Sequence, residues 1–174
     1  MIALGELDLR QHLRPGDHIV IGQASGEPTS LVRALIAQSP DIDNLSAFIS
    51  SSFSGLFTPE AVDAFTLSSM GAIGALRQLT KANRLQIVPC HVGQIGPMIT
   101  AGIMPCDVAM IQVSPADKDG YHSCGLISDY VAAAAAKARV VIAEVNDQVP
   151  FTPGEKIHQS QIHCAVAVSE PPVA

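Results

Sequence analysis

Two stretches of the chain concentrate residue types that could do chemistry. Gly22-Gln23-Ala24-Ser25-Gly26-Glu27-Pro28 is a run of small residues closed by an acid and a proline. A glycine-rich bend between a strand and a helix leaves several backbone N–H groups without ladder or helix partners. Such a cluster suits an anion or a polarised carbonyl oxygen. The second stretch, residues 114–125, crowds Ser114, Pro115, Asp117, Asp119, Gly120, Tyr121, His122, Ser123 and Gly125 into a turn-rich segment after a long apolar run. Long polar loops behind buried strands are where binding and catalytic groups concentrate. Each stretch also has a plain reading, as a tight strand-to-helix turn and as a solvated surface loop.

Several specific chemistries fail on spacing. Gly22 and Gly26 do not make G-x-G-x-x-G, and the next strand candidate runs into Ser50-Ser51-Ser52 with no acid to hold a ribose, which argues against a dinucleotide site. No Lys follows the glycines, so a Walker loop is excluded. Ser25 could be combined with His91 or His122 and Asp117 as a nucleophilic triad, but residues 22–26 lack the G-x-S-x-G elbow. Cys90, Cys106, Cys124 and Cys164 form no C-x-x-C pair and sit among apolar or small neighbours, as reduced core residues do. Of the Cys/His pairs, Cys90-His91, His122-x-Cys124 and His163-Cys164, those with adjacent ligands would point them to opposite faces of a strand, so no metal is expected. Glu144 stands near the carboxyl end of an apolar strand, where it could be a nucleophile or base. The commoner fate of such a carboxylate is a hydrogen bond to loop backbone. His18, at a strand start, reads as structural.

Positioning these groups requires alternating strands and helices. His18-Ile19-Val20-Ile21 is a β-branched strand, and Glu27-Pro28-Thr29 opens a helix whose Leu31, Ala34 and Leu35 share one face, with the acid set against the positive end of its dipole. Further strands are expected at residues 45–50, 65–67, 85–89, 107–113 and 140–145, and an edge strand at 165–168. Helices are expected at residues 71–82, at 93–102 with an interruption at Pro97, and from Ser128 to Ala138, with a helical turn at 59–64 capped by Thr58. Residues 1–15 read as a lead-in helix or irregular arm, and residues 150–161 as loop. This alternation indicates one α/β domain over residues 1–174, an open, mostly parallel sheet with helices on both faces. In such a sheet, ligands bind beyond the carboxyl ends of the strands, where both stretches fall.

Composition sets outer bounds. A chain of 174 residues with 48% hydrophobic and only 15% charged residues is apolar for a free-standing domain, whose charged share is typically about 25%. Either the sheet is covered on both faces or part of the surface meets a partner. The net charge of −6, with scattered Lys and Arg, offers no basic stripe for a nucleic acid. No apolar run approaches a membrane span and residues 1–14 lack a signal-peptide pattern, so a cytoplasmic location is expected.

Four segments together carry a resemblance: Ile21-Gly22-Gln23-Ala24-Ser25-Gly26-Glu27-Pro28, residues 107–115, Asp119-Gly120-Tyr121, and Val141-Ile142-Ala143-Glu144-Val145-Asn146. The chain resembles, from about Leu13 to Glu170, the amino-terminal half of the acetyl-CoA hydrolase/transferase family, which includes 4-hydroxybutyrate and acetate CoA-transferases. The resemblance implies an open α/β domain that pairs with a carboxyl-terminal CoA-transferase domain or subunit around one active site. It also implies acyl transfer between a CoA thioester and a short carboxylate through a glutamyl intermediate, with coenzyme A as substrate and no cofactor, in a homo- or hetero-oligomer. The family's glutamate lies in the second half, so no catalytic residue is assigned within this chain. Gly22, Gln23, Ser25, Gly26, Glu27, Pro28, Ser114, Pro115, Asp117, Gly120, Tyr121, Ser123 and Gly125 are implied to face the acyl group or the domain interface. A non-catalytic acyl-CoA or small-molecule binding module of the same fold is the alternative.

Overall fold

In the computed structural model, which describes residues 1–174, eight parallel strands form one open sheet. They are β1 (Ile2–Ala3), β2 (His18–Ile21), β3 (Leu45–Phe48), β4 (Phe65–Ser69), β5 (Leu85–Ile87), β6 (Val108–Val113), β8 (Val140–Asn146) and β10 (Cys164–Val168). A separate antiparallel pair is made by β7 (Tyr121–Ser123) and β9 (Lys156–His158). The order across the large sheet is β1-β10-β8-β6-β2-β3-β4-β5. From β2 the chain adds strands outward to β5, then returns to lay β6 on the other side of β2. That reversal makes the carboxyl ends of β2 and β6 the topological switch point, where sheets of this kind bind ligands.

The period of two along each strand divides the apolar residues between two cores. In β6, Val108 and Met110 face one core while Ala109, Ile111 and Val113 face the other; in β8, Val140 and Ile142 oppose Val141, Ala143 and Val145. Burial on both faces is why these strands are nearly unbroken apolar runs. The first core is covered by α1 (Thr29–Gln38), through Leu31, Val32 and Leu35, and by Leu79 of α2 (Arg77–Lys81). The second is covered by α3 (Val92–Thr100) and α4 (Val131–Lys137), through Ile95, Ile99, Val131, Ala134 and Ala135. The α/β architecture expected from the sequence is the one observed, and no helix is long and apolar enough to cross a membrane.

Several local expectations are corrected. The arm at residues 1–15 contains β1 and two 3₁₀ turns, and Leu7, Leu9 and Leu13 are buried beneath it. Because Ile2 pairs with Val166, β10 is not an edge strand. The helix expected at 71–82 shrinks to Arg77–Lys81, since Ala75 N–H donates to the Ser52 carbonyl at 2.9 Å and ties the preceding residues to another loop. Residues 59–64 do make the expected turn, with Val62 N–H donating to the Thr58 carbonyl at 3.3 Å and Thr58 Oγ1 accepting from Ala61 N–H at 3.2 Å. Pro97 does not interrupt α3, because in a short helix its missing N–H removes a single bond. The two segments expected as loops, 114–125 and 150–161, pair with each other through β7 and β9.

Candidate functional site at the carboxyl rim of the sheet

Residues 22–28 bridge β2 to α1 through a 3₁₀ turn, Ala24–Gly26, at the switch point between β2 and β6. Gly22 N–H donates to the Met110 carbonyl at 3.0 Å and Ala24 N–H to the Ser51 carbonyl at 3.0 Å, so the loop is tied to both neighbours of β2. Only glycine fits at position 22, since a Cβ there would lie 2.6 Å from the Gly26 carbonyl oxygen. The N–H groups of Gln23 and Ser25 donate to no group within the chain. The loop therefore carries two uncommitted donors on a backbone that is otherwise fastened.

Glu27 does not do what its position beside a helix suggests. The helix begins two residues later, at Thr29, and Glu27 is extended and 1% exposed. Its carboxylate accepts from the Ser52 hydroxyl (3.1 Å), the Ser54 hydroxyl (2.6 Å), and the N–H groups of Phe53 (3.0 Å) and Ser54 (3.3 Å). This acid stitches the loop after β3 to the loop after β2. The helix start is served instead by Glu144 on β8, whose Oε2 accepts from Ser30 N–H at 2.9 Å and Leu31 N–H at 3.3 Å. The expectation that Glu144 is held by backbone is met, with helix backbone in place of loop. Burial pushes its carboxyl up to about 7 against the opposing pull of those N–H groups, and its Oε1 has no partner.

The rim is tied across as well. The Gln23 side chain accepts from the Ser51 hydroxyl at 2.9 Å and donates to the Asp129 carboxylate. Tyr130, fully buried, donates its hydroxyl to the Ile21 carbonyl (2.7 Å) and accepts from Ser50 N–H (3.2 Å), clamping the ends of β2 and β3. Burial pushes the pKa of this hydroxyl well above the ordinary phenol value, so it stays protonated and acts as a donor. Gln112 on β6 donates to the Ser25 carbonyl at 3.2 Å, and Ile127 packs over Gly26.

Of the residues expected to form the site, Gly22, Gln23, Ser25, Gly26, Glu27 and Pro28 thus lie together at the carboxyl rim, in a loop joined to Ser51, Ser52 and Ser54. From the second stretch, contact with that loop comes through Ile127 and Asp129, just beyond it. The Asp117 side chain serves its own segment, accepting from the N–H groups of Tyr121 and Asp119, which hold its carboxyl below the usual range, while Ser123 bonds to Thr152 in the segment that carries β9. Ser114 Oγ accepts from Ser123 N–H at 3.0 Å, while Pro115 and Gly120 shape the turn into β7, Tyr121 opens that strand, and Gly125 follows it. None of these residues hydrogen-bonds to residues 22–28.

The triad combination does not assemble. His91 caps α3 by accepting from Gly93 N–H at 3.1 Å, and His122 Nδ1 meets the Ser114 carbonyl at 2.8 Å. His18 Nδ1 pairs with the Ser46 hydroxyl at 2.7 Å, a structural contact as expected. All four cysteines are free thiols; burial pushes Cys106 up to about 12 and Cys124 to about 11, far from reactive thiolates. Sequence reasoning passed over Gln112 and Asn146, yet the signal was present. Each is a polar residue in an apolar strand, on the same face of the sheet as Glu144.

Comparison with known proteins places the fold in a family. Residues 6–174 match the model of the acetyl-CoA hydrolase/transferase N-terminal domain. The chain is 35% identical over 156 residues to the 4-hydroxybutyrate coenzyme A transferase of Clostridium kluyveri, covering 88% of this chain and 36% of that protein. The crystal structure of a 4-hydroxybutyrate CoA-transferase from Porphyromonas gingivalis superposes with a TM-score of 0.73 at 30% identity, over 95% of this chain and 38% of that one. RipA from Yersinia pestis superposes with a TM-score of 0.83 at 26% identity, over 93% and 41%. The chain therefore spans little more than a third of the length of the curated relatives it matches. By the match over residues 6–174, it belongs to the acetyl-CoA hydrolase/transferase family, in the part that forms the family's N-terminal domain.

Proposed function

We propose that this chain is the amino-terminal half of a CoA-transferase or acyl-CoA hydrolase and supplies one wall of an active site whose nucleophile lies outside it. In this reading a glutamate of the second half attacks the thioester carbonyl and expels the CoA thiolate, forming a mixed anhydride. The thiolate then attacks the glutamyl carbonyl, releasing the acyl group as a carboxylate and leaving a glutamyl-CoA thioester. An incoming short carboxylate, or water in a hydrolase, resolves it. The N–H groups of Gln23 and Ser25 are the donors this chain offers to the oxygen on which charge develops.

One observation carries the reading: the two glutamates packed against the 22–28 bend and the start of α1 are walled in. Glu27 is 1% exposed with every donor around it directed at its carboxylate, and Glu144 is 0% exposed beneath α1, so neither can reach a thioester. The test is acyl transfer from acetyl-CoA to butyrate, with the chain alone and with a separately made carboxyl-terminal CoA-transferase domain. The expected result is no turnover by the lone chain, and turnover with a borohydride-reducible enzyme thioester in the mixture. Robust turnover by the chain alone overturns the proposal. Binding of acetyl-CoA by the mixture, measured calorimetrically without any acylated glutamate, would favour the non-catalytic module.

A further inference from the structure

At the carboxyl ends of β6 and β8, two buried amides join the 22–28 loop to the segment that follows the last strand. Gln112 is 5% exposed and Asn146 is 0% exposed. Gln112 Nε2 donates to the Ser25 carbonyl at 3.2 Å, and its Oε1 accepts from Asn146 Nδ2 at 3.1 Å. Asn146 Nδ2 also donates to the Glu170 carbonyl at 2.7 Å, while Asn146 Oδ1 accepts from Glu170 N–H at 3.3 Å and Gln148 N–H at 3.1 Å. Both hydrogens and both acceptor positions of Asn146 are thus in use. On the surface, Arg33 of α1 pairs with the Glu170 carboxylate at 2.9 Å and holds the same residue from the other side. Every amide nitrogen and oxygen of the pair has a partner, and breaking the link between Gln112 and Asn146 strands buried polar groups out of water, which favours this one arrangement.

We propose that Gln112 and Asn146 are positioning residues that register the 22–28 loop against the segment leaving β10 at Glu170, so that a second half joined beyond this segment is set relative to the loop's free N–H groups. The functional side of this inference rests on the proposed two-part active site; the coupling itself does not. Neither amide touches the reacting atoms. They act through Ser25 at one end and Glu170 at the other.

Hydrogen exchange on the 174-residue chain tests the coupling. In Gln112→Met the amides of Gly26 and Glu27, and also that of Glu170, should exchange about tenfold faster, with β3 and α2 unchanged. Should that variant fail to fold, a chain ending at Val168 removes the Glu170 partner without altering the core, and the Gly26 and Glu27 amides should again speed up. Acceleration confined to the altered end in either protein overturns the proposal. The second readout is kinetic, in the chain assembled with its carboxyl-terminal domain. Asn146→Leu should lower kcat about tenfold while KM for acyl-CoA stays within about twofold, as misplacement of a transition-state donor does. Equal changes in both, or none, would reduce Asn146 to an ordinary core residue. If the unaltered assembly has no activity the functional proposal fails, and the exchange result still decides the coupling.

Discussion

Replacing Glu144 by Gln isolates the consequence of a carboxyl group buried at 0% exposure with one oxygen lacking a partner. Burial raises this group from 4.5 to about 7, the N–H groups of Leu31 and Ser30 offsetting only part of the effect. Between those values the folded chain holds a proton that the unfolded chain has lost, so stability falls as pH rises through the window from about 4.5 to about 7 and is flat above it. At about 1.4 kcal/mol for each tenfold change in proton affinity, the ionised form costs the fold about 3 kcal/mol above neutrality. Gln keeps an oxygen to accept from the start of α1 and carries no charge. Urea unfolding of the two proteins should give nearly equal stabilities at about pH 4, whereas at about pH 8 the Gln variant should be more stable by about 3 kcal/mol. Taking the difference at each pH removes every group common to both. A variant less stable than the parent by the same amount across the range would refute the reasoning, since it would mean that the ionised carboxylate is what holds the helix start.

Other consequences are local. Glu27→Ala leaves the buried Ser52 hydroxyl and the N–H of Phe53 without an acceptor, and should cost about 3 kcal/mol in urea unfolding and speed hydrogen exchange across residues 52–55. Tyr130→Phe should cost about 2 kcal/mol, because the Ile21 carbonyl and Ser50 N–H lose the hydroxyl that joins them. Gly22→Ala brings a methyl group to 2.6 Å from the Gly26 carbonyl, and the backbone must yield; a loss of about 2 kcal/mol in thermal unfolding is expected, and a stability equal to the parent would show that the loop gives way freely.

The legible part of the fold was its strands and their order of appearance. Val108-Ala109-Met110-Ile111 and Val140-Val141-Ile142-Ala143 have too few polar residues for a half-exposed sheet, so two covered faces followed directly, and with them an α/β architecture. The bend at residues 22–28 was equally plain, because Gly22 answers a backbone approach that no other residue permits. The short strands were not legible. β1 has two residues and β7 and β9 three each, too few for any period to register; β1 forms because the edge of β10 was available, and β7 and β9 form only by pairing with each other.

The amino-acid sequence by itself determined which segments are buried strands, where the chain must turn on glycine, and which family the chain resembles, since each depends on residue type within a short window. What only the tertiary structure decided is which acid serves which backbone. Glu27 adjoins α1 in sequence yet binds residues 52–54, while Glu144, 114 positions from Ser30, receives the N–H groups that open the helix. Gln23 likewise finds Asp129 across 106 positions. Such pairings are set by laying β6 between β2 and β8, and strand order follows from burying two apolar faces at once, a property of the whole sheet that no local pattern contains.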